Sequence, residues 1–161
     1  MHIQNLFQPL EDLERNLAIL YKQFSERFSG DPEARLTFFR LHLDEKAHLA
    51  LVQFQKRLVK QSPKLFGEIE LDLDEVVTLA ARVDAMLWTK HGLSLSEALD
   101  LSLALEQSAA EYHCRTAVKQ SNPGLASLVR NLGGGDETHL AALKDLAARR
   151  VAVVPATASP G

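Results

Sequence analysis

The second half of the chain repeats the plan of the first at a fixed offset. Asp31-Pro32 and Asn122-Pro123 lie 91 residues apart, as do Glu45 and Asp136, and His48 and His139; Glu14 and Glu106 lie 92 apart. Aromatic residues trail both of the latter carboxylates: Tyr21 follows Glu14 by seven, and Tyr112 and His113 follow Glu106 by six and seven. Each half therefore reads as one long segment, a reversal made from a capping residue plus proline, and a second long segment returning. That is a duplicated helical hairpin, and it restricts the fold to an all-α bundle.

Residues 6–29 carry Leu10, Leu13, Leu17, Leu20, Phe24 and Phe28 at steps of three and four, one buried stripe of a first helix with Pro9 in its first turn. Gly30 reads as the residue after the helix end, Asp31 as an N-cap and Pro32 as the first residue of a second helix over 32–60. Phe38, Phe39, Leu41, Leu49, Val52, Phe54 and Leu58 give that helix an apolar side broader than one stripe. Residues 67–73 alternate and read as a connector, with a short strand as the other reading. A shorter helix over 74–91 presents Val76, Val77, Ala80, Val83, Leu87 and Trp88, and Gly92 ends it. Trp88 reads as crossover packing, with a dimer contact as the alternative. Ser94 and Glu97 form a capping box that opens a helix through residue 120. A last helical pattern covers 123–150, interrupted by Gly133-Gly134-Gly135. The domain is placed at 1–154, and the small, proline-containing tail 155–161 is expected to be disordered.

Heights along the helices decide whether the hairpins can gather chemistry. At about 1.5 Å per residue, Glu14 lies roughly 22 Å from the end of its helix, and Glu45 and His48 roughly 20–24 Å up the returning one. In the second half Glu106 lies about 21 Å from its helix end, and Asp136 and His139 about 20–24 Å from Pro123. All six sit at one level. Glu45 and His48, three apart, leave the same helix face, as do Asp136 and His139. Two hairpins joined by residues 61–93 suit a bundle with a crossover along its length. Four carboxylates and two imidazoles then converge on its pseudo-twofold axis, as in di-iron and di-manganese bundles.

Composition removes other classes. The chain has 161 residues, 46% hydrophobic and 24% charged, enough for one domain with a sizeable core. A formal net charge of −3 gives no reason to expect a nucleic-acid partner. No run of about 18 apolar residues suggests a membrane partner, and residues 1–5 lack the order of a signal peptide, so a cytoplasmic location is expected. Cys114 is the only cysteine, which excludes an intrachain disulfide and Cys₄ centres. It reads as a small buried side chain.

Taken together, Glu14…Tyr21, Glu45-x-x-His48, Glu106…Tyr112-His113 and Asp136-x-x-His139, spanning residues 6–150, resemble the ferritin-like superfamily and within it the rubrerythrin-like proteins. The resemblance implies a ferritin-like four-helix bundle of two duplicated hairpins, its long crossover carrying a short fifth helix. It implies a carboxylate-bridged centre of two iron ions, with manganese or zinc as alternatives. Glu14 and Glu106 would be single-carboxylate ligands, Glu45 and Asp136 bridging or chelating ones, and His48 and His139 one imidazole per metal. The implied substrates are peroxide, dioxygen or ferrous iron, with an external electron donor if the protein turns over, as an oxidoreductase of peroxidase or ferroxidase type. A homodimer is expected.

Three departures stand against the pattern. Asp136 replaces glutamate and is one methylene shorter. Three glycines precede it, at about 1 kcal/mol each against alanine within a helix. No rubredoxin-like Cys₄ domain is present. The helix could break after Leu132 and restart with Asp136 as an N-cap, or the glycines could admit a close neighbour, and Glu137 could substitute for Asp136 on a distorted turn. His113 reads as a packed polar neighbour of the site rather than an extra ligand, and Tyr21 and Tyr112 as core residues hydrogen-bonding near it. The competing functions are a metal-binding or storage module without turnover, and a metal-free bundle kept as a scaffold.

Overall fold

The caps fix where the helices begin. Asp31 holds the start of a 30-residue helix, its carboxylate accepting from the backbone N–H of Glu33 (3.2 Å) and Ala34 (3.0 Å). Asn122 does the same for Gly124 (2.9 Å) and Leu125 (3.2 Å). Ser94 and Glu97 form the reciprocal box: Glu97 Oε2 accepts from Ser94 N–H at 2.8 Å, and Ser94 Oγ accepts from Glu97 N–H at 3.3 Å. The computed structural model describes residues 7–65, 73–89, 92–119 and 122–152. Among these are five α-helices: α1 (Gln8–Arg27), α2 (Pro32–Gln61), α3 (Leu73–Thr89), α4 (Leu95–Lys119) and α5 (Pro123–Ala152). A single 3₁₀ turn, Pro63–Leu65, follows α2. The expected connector, its optional strand and the tail fall largely outside the described residues. No described helix is long and apolar enough to cross a membrane.

α1 packs along α2 and α4 along α5; α3 lies against α1, and α2 meets α5. The α1 stripe is buried from Leu10 to Phe24, and Tyr21, Phe24, Phe28 and Phe38 form an aromatic plug with ring centroids 5.2–6.2 Å apart. Each such side chain contributes about 1.5–3 kcal/mol on leaving water. Val76, Val83 and Leu87 seat α3, while Leu105, Leu125, Leu132, Leu143 and Leu146 join α4 and α5 to the same core. At the far end of α5, Arg149 pairs with Glu33, and Arg150 with Asp31 and with Glu33 (3.2 Å), tying the last helix to the first turn of α2.

Four expectations need correction. The α1–α2 reversal is closed by Asp31 N–H donating to the Phe28 carbonyl at 2.9 Å, and Gly30 does not adopt the left-handed conformation. Gly92 alone among the described residues has a positive φ, 107°. On α2, Phe39 and Phe54 are exposed, because its apolar residues occupy two opposite faces and only the Phe38–Leu41–Val52 face meets the bundle. On α3, Val77 and Trp88 are exposed: the helix advances 100° between neighbours, so seating Val76 and Leu87 turns them outward. Trp88 is 74% exposed and is not crossover packing. Cys114 is exposed too, one step round α4 from the buried His113.

The triple glycine does not break its helix. α5 runs through Gly133–Gly135 without restarting, so Asp136 is an interior residue and not an N-cap.

Candidate metal centre

Four helices each deliver their polar residues inward at one level. Glu14 comes from α1, Glu45 and His48 from α2, Glu106 from α4, and Asp136 and His139 from α5; all six are buried. They form two donor groups, Glu14–Glu45–His48 and Glu45–Glu106–Asp136–His139, with the donor atoms within each group no more than 4.8 Å apart.

Glu45 belongs to both groups. Its Oε2 lies 3.1 Å from His48 Nδ1, and its Oε1 lies 3.0 Å from His139 Nδ1. One carboxylate therefore offers one oxygen to each imidazole, whose ring centroids are 5.6 Å apart. His48 Nδ1 also faces Glu14 Oε2 at 3.4 Å, and His139 Nδ1 faces Glu106 Oε2 at 3.2 Å.

Neighbouring residues hold these side chains in place. The Tyr21 hydroxyl donates to Glu106 Oε1, across from α1 to α4. His113, fully buried, places Nδ1 2.7 Å from Asp136 Oδ2 and Nε2 3.7 Å from Glu14 Oε1, so one ring spans both groups. Asp44 reaches His139 Nε2 at 3.5 Å from the exposed side of α2. A carboxylate behind a metal-binding imidazole fixes its tautomer and orientation. Nothing local in the sequence marks Asp44, since its partner lies on another helix. His113 carried a signal, its seven-residue register from Glu106, and it stands as a polar neighbour bonded to Asp136, outside both donor groups. Glu137 is exposed and takes no part.

Gly135 explains the glycine run. A Cβ built on it would lie 2.3 Å from both Cε1 and Nε2 of His48, closer than any packing allows. The His48 ring rests on bare α5 backbone. At Gly133 a Cβ would come within 3.3 Å of the His113 Cβ, whereas Gly134 faces open space.

Electrostatics follow from burial and pairing. Burial pulls the imidazoles down, but the carboxylates facing them outweigh it: Glu14 and Glu45 raise His48 to about 10, and Glu106 and Glu45 raise His139 to about 11. Burial lifts Glu14 well above the ordinary carboxylate range, with Glu45 adding repulsion. Burial likewise moves Glu106 up to about 7 against the pull of His139. Glu45 is pushed up by burial yet ends well below its ordinary value, because His139 and His48 both hydrogen-bond to its anion. Burial and the Glu106 charge raise Tyr21.

The donor set fits a divalent cation. Both oxygens of Glu14 and Nε2 of His113 are buried and make no well-formed hydrogen bond, their imidazole–carboxylate approaches standing at 3.4 and 3.7 Å. Leaving such groups unsatisfied costs about 1–3 kcal/mol each, more when charged. Carboxylate oxygens with imidazole nitrogens are the ligands that iron and manganese accept.

No family model, curated protein or solved structure gives a significant match to the chain.

Proposed function

We propose that the chain is a ferritin-like bundle of two duplicated hairpins whose centre holds two metal ions, iron first, and that it acts on peroxide, dioxygen or ferrous iron. The observation carrying this reading is the division of Glu45, with one oxygen toward each imidazole and membership of both donor groups. Each of two helices supplies a single glutamate, and each of the others a carboxylate-x-x-His pair, the pattern of two-metal carboxylate bundles. With four carboxylates to two imidazoles, the set is richer in oxygen than the nitrogen and sulfur sites zinc prefers.

Glu14 and His48 would serve one ion, Glu106, Asp136 and His139 the other, and Glu45 both. Two iron ions held there would supply the one-electron steps that reduce peroxide or dioxygen. Tyr21 keeps Glu106 in its rotamer, Asp44 and His113 hold His139 and Asp136, and the buried setting excludes bulk water. The reducing electrons would come from an external donor.

Element analysis with an anomalous-scattering map of protein grown with iron tests the centre. Two metals per chain are expected, both lost in Glu45→Ala and at most one lost in Asp136→Ala. Well under one metal per chain sinks the reading. Stopped-flow mixing of the ferrous-loaded protein with peroxide separates turnover from storage, since a storage module would stay inert.

A further inference from the structure

The face of α2 opposite the metal donors is largely apolar and, among the described residues, uncovered. Leu36, Phe39, Leu43, Leu51 and Phe54 are each between 41% and 52% exposed, Ala47 is exposed, and Leu58 is half-buried. Their helical angles fall within one stripe about 120° wide. A solvated helix face would instead carry charged residues.

Apart from Ala50, the apolar residues of this stripe run in the same order in both directions, Leu36, Phe39, Leu43, Ala47, Leu51, Phe54, Leu58, with Arg40 and Arg57 sharing the stripe between them. Ala47 is the midpoint. Leu43 and Leu51 lie four residues to either side, Phe39 and Phe54 eight and seven, Leu36 and Leu58 eleven. A twofold axis through Ala47, perpendicular to the helix, therefore lays leucine against leucine and phenylalanine against phenylalanine. Such self-complementarity is what an isologous contact between two copies requires. The smallest residue stands at the crossing, where helix axes approach within about 8–10 Å.

We infer that this face of α2 is the dimer interface, two copies pairing their α2 helices antiparallel about Ala47. The stripe is about 33 Å long and one helix wide, roughly 400 Å² per partner. A standard interface takes about 800 Å² per partner, so the flanks must contribute and the dimer is reversible. Arg40 mirrors Phe54 across the axis and would bring its guanidinium onto the other copy's Phe54 ring, as Arg57 already does within the chain at 6.0 Å. Asp44 and Lys46 supply both signs of charge beside the stripe.

Sedimentation of the full chain at micromolar concentration is expected to give twice the chain mass, falling to one in Leu43→Asp and Phe54→Asp with helical content retained by circular dichroism. Geometry is tested separately in a Cys114→Ala background. Ala47→Cys should oxidise to a covalent dimer, Leu43→Cys should cross-link to Leu51→Cys when the two are mixed, and Leu36→Cys alone should not. A monomer at these concentrations overturns the inference. So does a dimer that survives both aspartates or cross-links without the Ala47 symmetry, which would place the contact elsewhere, for example at Trp88. Monomers that instead float with anionic vesicles through this face overturn it in favour of a lipid surface.

Discussion

At the residue scale the site depends on one missing methyl group. Alanine is about 1 kcal/mol better than glycine inside a helix, so each of Gly133, Gly134 and Gly135 weakens α5 locally. Gly134→Ala meets open space, and an increase of about 1 kcal/mol in stability is expected by chemical denaturation. Gly135→Ala drives its methyl into the His48 ring. It should lower metal content toward the Glu45–Glu106–Asp136–His139 group alone while leaving helical content intact. Element analysis of the two variants side by side decides the point; equal metal content in both would remove the role given to Gly135. The sequence shows the anomaly of three glycines without their reason, because the contact that requires Gly135 comes from α2, nearly ninety residues away.

At the scale of elements, the structure rewards patterns that are local. Caps at Asp31, Ser94 and Asn122, the α1 stripe and the matched heights of the six polar residues all follow from spacing within one helix or one hairpin. What spacing does not reveal is which of two apolar faces finds a neighbour. α2 carries both Phe38 and Phe39, and only the bundle decides that Phe38 goes in and Phe39 stays out. Trp88 was misplaced for the same reason. Asp31 offers a test of how elements are joined, since it caps α2 and also receives Arg150 from α5. Asp31→Ala should cost about 1–2 kcal/mol for the cap plus up to about 1 for the half-exposed ion pair. Asn122→Ala should cost the cap alone, about 1 kcal/mol. Urea unfolding of both, with Arg150→Ala completing a double-mutant cycle on Asp31, separates the contributions; additivity would mean that the Arg150 contact contributes nothing.

At the scale of the whole molecule, protons and metal ions compete for the same cavity. In the metal-free protein His48 and His139 stand at about 10 and 11, above their ordinary 6.5, so the folded chain holds two protons the unfolded chain releases. Their contribution to stability is complete below pH 6.5 and is lost as pH rises through 10–11. Glu45, held below its ordinary value, contributes above that value and loses its share as pH falls through the depressed one. Thermal melts in chelator should therefore lose stability progressively from pH 6.5 to 10. Ligation needs neutral imidazoles, so loading at pH 7 should release at least about two protons per chain, and affinity should climb with pH over the same range. Titrating manganese into weakly buffered protein measures the release directly; loading without protons would mean that the imidazoles are not ligands.

The close seat of His48 on Gly135 also makes position 135 a record of use. A chain that kept this fold but no longer needed an imidazole at 48 would gain helix stability from alanine at 135, with nothing to oppose the change. Related chains should consequently split into two kinds, those pairing glycine at 135 with histidine at 48 and those in which both have drifted together. The backbone atom that carries no side chain would then report, in one letter, whether a given copy of the bundle still has a centre to serve.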